Sequence, residues 1–519
     1  MTTRDVGFAF AGLLIAILLA ALDQMIFGTA LPTIVGELGG VGQMLWVTTA
    51  YLLAATITMP IYGKLGDLIG HKLLFLSALA IFLGGSVLGG LSTTMTGLIT
   101  ARAVQGLGGG GLMILSHAII ADLVPARRRG KYMGAIGGMF AFSSVVAPLL
   151  GGWFTDTAGW RWAFWFNLPL GALAVTAAII FLKMPAQRPT RPRADVLGIL
   201  TMAVAVAAII FITSWGGREF AWDSPVILGL IAAALVAGTV FVLVERRAAE
   251  PIMPLHLFRK RNFNLATFGG LCAAVAMFGV IAYMPSYLQM VTGLSATGAG
   301  LLMVFMSAGI TITSLSTGAL ASRTGRYKWM PIATCLGLAL GLFLLSTLKP
   351  QSSIWTIGAF LFILGAGNGL GFQIIVLIVQ NTFPITEVGT ATAANTFFRE
   401  IGAALGSAVV GTMFTTRLMA LLTERLAAQP GGPPPLDPTS LTPGAVNQLP
   451  EAVRSVVVTS YNEALTPVFL FLLPLMIVAA VALCFIQEKP LALTNAVPAE
   501  EEPPLPRGPD PQPAMEETV

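Results

Sequence analysis

The chain has 519 residues, of which 55% are hydrophobic and only 10% are charged. A soluble protein with this balance could not cover its surface with polar groups, which excludes an ordinary soluble enzyme or binding domain. The net charge of +5 does not indicate a nucleic-acid partner, because the basic residues lie in short loops between hydrophobic segments. Cys272, Cys335 and Cys484 all lie inside those segments and show no metal-binding or disulfide spacing.

The hydrophobic segments are about 20 residues long, enough for a helix to cross the roughly 30 Å hydrocarbon core of a bilayer. They lack strict alternation, which predicts membrane helices rather than barrel strands. The fourteen predicted spans lie near residues 9–31, 44–63, 73–91, 97–121, 132–153, 162–182, 195–214, 225–245, 265–288, 298–320, 330–348, 354–379, 389–415 and 466–486.

The basic residues predict the orientation. Loops on the side of the N-terminus hold about three times as many Lys and Arg residues as loops on the other side. Most tryptophans lie near the other interface, where indole rings prefer to sit. The sequence therefore predicts a multi-pass protein of a bacterial plasma membrane with both termini in the cytoplasm.

An internal repeat divides the chain. The segments 63–72 and 318–328 both follow a span, share the form G-x-L-x-x-x-x-G and end in basic residues. Such a repeat is typical of two similar halves packed around a central cavity. The predicted regions are a six-helix half at 1–194, an inserted helix pair with a basic linker at 195–261, a second six-helix half at 262–497 with an outer loop at 417–464, and a disordered tail at 498–519. Within the outer loop, apolar residues between Leu449 and Tyr461 predict a short amphipathic helix on the outer surface.

Several motifs resemble those of the major facilitator superfamily, in particular its 14-span drug:proton antiporters. They are the 63–72 loop with Asp67, Arg102-Ala-Val-Gln105-Gly106, Ala147-Pro148-Leu149-Leu150-Gly151-Gly152, Leu22-Asp23 through Pro32, and Phe166-Asn167-Leu168-Pro169. The chain departs from the family pattern at His71, where arginine is usual, at Ala147, where glycine is usual, and at Gly28, where asparagine is common.

The resemblance implies two six-helix halves with an inserted helix pair, and the export of small lipophilic substrates in exchange for protons. It implies a transporter rather than an enzyme, with no cofactor or metal and with the lipid bilayer as its surroundings. The sequence has no P-loop, so we expect no nucleotide partner. A G-x-G-x-x-G begins at Gly106 but lies inside a predicted membrane helix, where glycines serve close packing.

Five ionisable residues lie inside the predicted spans, where a charge is costly: Asp23, Arg102, His117, Arg399 and Glu400. Asp23 and Arg102 have similar predicted depths, so they form either a proton site or a static ion pair. Glu400 is a candidate second proton site, with Arg399 structural, or both meet polar neighbours. His117 is expected to be a hydrated packing residue near the cytoplasmic end. The candidate proton-coupling residues are Asp23, Arg102 and Glu400.

A gate is predicted at the inner loop that contains Asp67, which could cap a helix N-terminus or pair with a basic loop residue. Asp122 and the arginines at 127–129 are candidate partners. Pro148 can kink the fifth span. The candidate gating residues are Gly63, Asp67, Gly70, Lys72, Pro148, Gly151 and Gly152, and candidate cavity residues are Phe140, Tyr283, Tyr287, Phe372, Gln373, Asn395 and Phe398.

Three further functions remain open from the sequence. The protein could export one endogenous compound such as a lipid, a siderophore or an antibiotic. It could also be an importer, which the Pro148 region disfavours, or a non-transporting sensor.

Overall fold

The structure is a computed structural model that describes residues 3–183, 195–217, 219–427, 446 and 449–492. Within these residues the regular elements are helices, apart from an isolated bridge between Gly216 and Phe220. In the same residues, fourteen helices are long and apolar enough to cross a membrane. The predicted all-α membrane fold is therefore confirmed.

We number these fourteen helices in chain order. They are α1 Thr3–Leu38, α2 Met44–Ile69, α3 His71–Gly90, α4 Met95–Leu123, α5 Ala126–Trp153, α6 Trp162–Phe181, α7 Val196–Trp215, α8 Pro225–Glu245, α9 Arg261–Thr292, α10 Ala296–Thr324, α11 Trp329–Ser346, α12 Ile354–Gln380, α13 Val388–Ala427 and α14 Glu451–Cys484. Short breaks interrupt α6 at Phe166 and α12 at Leu370 and Gly371.

Successive helices run in opposite directions, so their connections lie at two ends of the bundle. We call the end with the loops after α2, α4 and α10 the basic face, because it carries the arginine run at 127–129 and the basic end of α10. The other end, with the loops after α1 and α3, is called the opposite face. The described parts of the chain begin and end at the basic face, since the segment after α14 contacts the start of α9 and the loop after α10.

The helices form two halves, α1–α6 and α9–α14, which meet along two seams. One seam joins α5 to α10, and the other joins α2 to α13. Helix α7 covers the second seam and contacts both α2 and α13, while α8 packs against the outside of α7. The rings of Trp46 on α2 and Trp215 on α7 lie 6.0 Å apart. Leu235 on α8 is 68% exposed, as expected for a helix that faces lipid.

Glycines allow α4 to lie close to its neighbours. A Cβ atom at Gly108 would lie 2.5 Å from the carbonyl oxygen of Ala78 on α3. A Cβ at Gly106 would lie 2.9 Å from the Cβ of Ala54 on α2. This geometry supports the interpretation of the glycine run as a packing surface, since small residues let membrane helices approach.

The predicted bounds of the outer loop, 417 and 464, are both wrong. Helix α13 continues to Ala427, and α14 begins at Glu451, so the amphipathic segment is the first part of α14 and not a separate surface helix. The helical periodicity there runs into the apolar span with no break at Pro467. An ion pair between Arg425 and Glu463 joins the two extensions. The Pro/Gly stretch and the predicted tail at 498–519 lie outside the described residues.

Candidate functional site

Asp23 and Arg102 form a buried ion pair inside the first half. Asp23 is 1% exposed and Arg102 is fully buried, and an Nη1 hydrogen of Arg102 is donated to Oδ2 of Asp23. The other carboxylate oxygen accepts hydrogen bonds from Gln105 Nε2 and Asn167 Nδ2, each at 3.0 Å. Both carboxylate oxygens of Asp23 thus accept hydrogen bonds, from α4 and α6.

The guanidinium of Arg102 makes further contacts, and the residue also lines a cavity of about 280 Å³ that is described below. It lies 4.3 Å from the ring centre of Phe27 and 4.4 Å from that of Tyr51, and its Nε donates to the carbonyl of Val47 at 3.3 Å. Cation–π contacts and charge-assisted hydrogen bonds are strong in a dry site. The expected pairing of Asp23 with Arg102 is present. Gln105 and Asn167 were not expected as partners of Asp23, although both belong to the quoted motifs.

Glu400 differs from Asp23, because none of the hydrogen bonds and ion pairs of the described residues involves its carboxylate. In the part of α13 and its surroundings that the structure describes, its carboxylate makes no hydrogen bond, and no basic group lies within 4.0 Å of it. It lies 12 residues after the start of α13, or roughly 18 Å along the helix axis. Arg399 points to a different side and lies 3.7 Å over the ring of Phe372, so the two neighbours are not each other's partner.

A central cavity of about 100 Å³ lies between the two halves, and Arg399 and Glu400 both line it. Helices α4, α5, α9, α10, α12 and α13 contribute its walls. Three predicted cavity residues line it, namely Phe140, Phe372 and Gln373. Glu400 also lines two smaller cavities, one beside Gln24 and one beside Ile210 of α7. This carboxylate is therefore reached from several sides of the bundle.

Three predicted cavity residues pack into the second half instead. The hydroxyl of Tyr287 donates to Asn462 at 2.6 Å, and Nδ2 of Asn395 donates to Thr267 at 3.1 Å. Phe398 packs edge-on against Phe258. Aromatic and amide residues at helical spacing satisfy one another in the core as readily as they line a cavity, so the sequence pattern could not separate the two cases.

His117 also departs from its expectation. It was expected near a hydrated end of α4, yet it is 3% exposed and lines the central cavity. Its Nδ1 lies 2.8 Å from the carbonyl of Met113, and the carbonyl of His117 accepts from Gln380 at 3.2 Å. Asn368 and Thr396 were missed altogether as cavity residues. A polar residue inside an apolar span, such as Asn368, was the available signal.

A second cavity, of about 280 Å³, lies nearer the opposite face. The predicted cavity residue Tyr283 lines it, together with hydroxyl side chains from both halves and from α7, such as Thr48, Thr213 and Thr412. Helix α7 of the inserted pair thus contributes to the lining of this cavity.

Asp67 joins the two halves at the basic face. Its Oδ1 accepts from the backbone N–H of Gly389 at 3.0 Å, and its Oδ2 accepts from the N–H and hydroxyl of Thr390 at 2.7 Å and 2.6 Å. These groups lie at the N-terminus of α13, where the helix dipole favours an anion. We call this contact the Asp67 latch. Of the expected partners, Asp122 shares the imidazole of His71 with Asp67, while Arg127 and Arg129 donate to the backbone carbonyls of Ser322 and Val124.

Glycine and histidine shape the surroundings of the latch. At Gly63 an added Cβ would overlap the Cβ of Ala393 and lie 2.8 Å from the carbonyl oxygen of Gly389. His71 connects Asp67 to Asp122, with Nε2 3.3 Å from one carboxylate and Nδ1 2.7 Å from the other. His71 therefore contacts two neighbouring helices. The replacement of the usual arginine by histidine had suggested a weaker contact between helices at this position.

The other gating candidates lie apart from the latch. Gly70 has a φ of 101°, which only glycine adopts easily, and it ends α2. Lys72 donates to the carbonyl of Leu182 at 2.6 Å, at the end of α6. The carbonyl of Pro148 accepts from Thr29 at 3.4 Å. A Cβ at Gly151 would lie 2.5 Å from the carbonyl oxygen of Ile26, but one at Gly152 would meet nothing within 4 Å.

The seam between α5 and α10 is also fastened at the basic face. Arg127 donates to the carbonyls of Ser322 and Arg323 at 2.9 Å and 2.6 Å. These are the last carbonyls of α10, where a cation is favoured. Further from the basic face, the hydroxyls of Ser144 and Ser307 meet at 2.8 Å. Both seams are thus closed at one end, while the larger cavity lies towards the other.

Comparison with known proteins gives a consistent result. The sequence profile of the Major Facilitator Superfamily matches residues 13–407. The chain is 41% identical to an uncharacterized MFS-type transporter of Mycobacterium tuberculosis, over 93% of this chain and 69% of that protein. It is 38% identical to the multidrug transporter protein MdtP of Bacillus subtilis, over 93% of each chain. It is 34% identical to multidrug resistance protein 3 of Bacillus subtilis, over 92% of this chain and 94% of that protein.

Solved structures agree on the fold. The human organic anion transporter MFSD10 superposes with a TM-score of 0.54 at 15% identity, covering 92% of this chain and all of that chain. A bacterial homologue of the lysosomal transporter Spinster, in an inward-facing conformation, gives a TM-score of 0.56 at 16% identity, over 93% and 98%. From its helices, its two joined halves and these matches, the chain belongs to the Major Facilitator Superfamily and is a membrane transporter, not an enzyme.

Proposed function

We propose that this protein is a proton-coupled antiporter that exports lipophilic drugs or similar small amphiphiles across a bacterial plasma membrane. The names of its relatives MdtP and multidrug resistance protein 3 support drug export. The basic face is assigned to the cytoplasm, since Lys and Arg are enriched in cytoplasmic loops. Both termini then lie in the cytoplasm. The central cavity and the second cavity, which lies nearer the opposite face, form parts of one export pathway.

The unpaired carboxylate of Glu400 carries this proposal. An acidic group in an apolar cavity favours its neutral form, and a nearby cation favours the ionised form. A cationic substrate in the central cavity therefore releases the proton, and a new proton releases the substrate. One proton crossing 100 mV supplies about 2.3 kcal/mol, which supports a substrate gradient of about 50-fold.

Asp23 and Arg102 have a different part in this mechanism. Their hydrogen bonds are complete, so neither proton nor substrate reaches the carboxylate without breaking several of them. We assign the pair to holding α1, α4 and α6 together, and the proton exchange to Glu400. Asp23 and Arg102 are thus interpreted as a static ion pair, which is one of the two alternatives that the sequence left open.

Alternating access requires the basic face to open. The Asp67 latch and the Arg127 contact both join one half to a helix terminus of the other, so each is broken when the halves separate. Gly63 permits the close approach of α2 and α13 that the latch needs. These features support a two-state transporter whose conformation in this structure is closed to the cytoplasm.

Substrate-induced proton release in proteoliposomes tests the proposal. We expect a lipophilic cation such as ethidium to release protons from the wild-type protein and from Asp23→Asn, though with less protein folded in that variant. Glu400→Gln should release none while still inserting into the membrane. Normal release from Glu400→Gln would contradict the assignment. Absence of release from the wild type, with transport of only one endogenous compound, would instead favour a dedicated exporter.

A further inference from the structure

The central cavity presents two opposite charges that form no ion pair among the residues the structure describes. Arg399 and Glu400 are adjacent on α13, line the same cavity and form no ion pair within 4.0 Å. In the described residues, Nε of Arg399 is buried and makes no hydrogen bond. The guanidinium carbon lies 3.7 Å from the centre of the Phe372 ring. A positive and a negative group therefore face one space from different sides.

Neutral polar side chains surround this space. They belong to His117, Asn368, Gln373 and Thr396, each of them at most 7% exposed. The side chains of His117 and Gln373 interact with each other, whereas Asn368 Oδ1 and Thr396 Oγ1 meet no hydrogen-bond partner among the described residues. Because a buried polar atom without a partner is costly, such a group of atoms indicates a site completed by a bound molecule.

We infer that the central cavity binds zwitterionic amphiphiles, with the anionic group of the ligand on Arg399 and its cationic group on Glu400. This inference rests on the proposed function and specifies its substrate class. A planar guanidinium binds a carboxylate through two parallel hydrogen bonds. A purely cationic ligand would leave Arg399 unpaired beside it, and a purely anionic ligand would leave Glu400 unpaired. A zwitterion neutralises both.

The remaining walls suit an apolar ring system. Phe140 and Phe278 offer aromatic faces, and Met113, Met277 and Met306 offer flexible thioethers that adapt to different shapes. The present volume of about 100 Å³ is smaller than drug-sized sites of roughly 300–1,000 Å³. The occupied state therefore requires α5 to move apart from α10 and α13, as opening of the seam between α5 and α10 allows. The cationic group still exchanges with a proton on Glu400, so the sign of the coupling matches export.

Two related dyes test this site directly. Rhodamine 110 carries a free carboxylate beside its cationic ring system, and rhodamine 123 is its methyl ester, which lacks the negative charge. Equilibrium binding to the purified full-length protein is measured by fluorescence anisotropy without any proton gradient. We expect the wild type to bind rhodamine 110 about tenfold more tightly than rhodamine 123, as a charge-assisted bond predicts.

Variants then assign the preference to one residue. Arg399→Met should remove the tenfold preference while rhodamine 123 binds as before, and that retained binding shows the variant is folded. Glu400→Gln should weaken both dyes. Phe140→Leu, a cavity change without charge, should weaken both dyes equally and keep the preference.

Equal binding of the two dyes to the wild type, a preference that survives in Arg399→Met, or no binding of either dye would overturn the inference. Failure of the proposed function is seen separately. In that case the binding preference is present, but neither dye is pumped by a proton gradient in proteoliposomes.

Discussion

Each half of the molecule buries one acidic side chain in the middle of the bundle, and the two have opposite surroundings. Asp23 accepts hydrogen bonds from Arg102, Gln105 and Asn167 and lines none of the cavities described above. Glu400 has no such partner in the described residues and lines three cavities. Two buried acidic residues thus differ in their surroundings, since one is hydrogen-bonded within its half and the other faces open space.

The difference teaches that burial alone does not identify a transport site. A carboxylate whose lone pairs are all used is costly to disturb, and its removal should affect folding. A carboxylate that lacks partners costs stability already, and its removal should affect transport but not folding. The following experiments, in order of expected effect, either sharpen this distinction or break it.

The largest effect is expected on the free energy of unfolding, when one member of the buried ion pair between Asp23 and Arg102 is removed. Arg102→Met leaves Asp23 as an unpaired charge in a dry site, so we expect the free energy of unfolding to fall by about 3–5 kcal/mol. Unfolding with increasing SDS in mixed micelles measures it. The double variant Asp23→Asn with Arg102→Met should recover most of the loss, because no charge is left unpaired. A single variant as stable as the wild type would mean that the pair is hydrated.

The next effect concerns the seam between α2 and α13. Gly63→Ala puts a methyl group against Ala393 and the carbonyl of Gly389, so the closed state should lose about 2 kcal/mol, as overpacking does. Spin labels at Leu73→Cys and Ile385→Cys, in a Cys484→Ser background, report the distance between the halves at the basic face. We expect a shift of about 30-fold towards the longer distance.

Gly152→Ala is the matched control for this variant. Its added methyl group meets nothing within 4 Å, so the distance distribution should stay that of the wild type. An unchanged distribution in Gly63→Ala would show that α2 and α13 do not need their present close approach.

Much of the fold could be predicted from the sequence. The apolar segments predict all fourteen spans, because the bilayer sets their length, and the repeat of the Gly63 loop predicts the two halves. The pairing of Asp23 with Arg102 was also expected, since a charge at that depth needs a partner. These features follow from one physical constraint, the cost of polar groups in hydrocarbon, which is visible in the order of residues.

The contacts between the halves could not be predicted in the same way. Asp67 and Thr390 are separated by 323 residues, and the N–H groups that bind Asp67 are backbone atoms with no signature in the sequence. The cavity lining was equally hidden. Tyr287 and Gln373 both lie at helical spacing in apolar spans, but only the packing of helices decides that one meets Asn462 and the other faces open space.

A smaller effect is expected at the Asp67 latch. Asp67→Asn keeps the shape of the side chain but loses the charge that favours the N-terminus of α13 and one of the accepting oxygens. Such a change costs about 1 kcal/mol, which shifts the closed state towards the open state by about fivefold. The same spin-label pair measures it, and Gly63→Ala gives the larger reference shift. If the distribution does not move, His71 and Arg127 suffice to hold the basic face closed.

The smallest effect on the free energy of unfolding is expected for Glu400→Gln, the variant in which transport should be lost entirely. Glu400→Gln removes a charge that has no partner, so the free energy of unfolding in SDS should change by less than about 0.5 kcal/mol, or rise slightly. The contrast with Arg102→Met, in the same assay, is the direct test of the difference between the two halves. A loss of several kcal/mol in Glu400→Gln would mean that this carboxylate is held by contacts as Asp23 is. It would then be a structural residue, because a group that must bind and release a proton during each cycle cannot also carry the stability of the bundle.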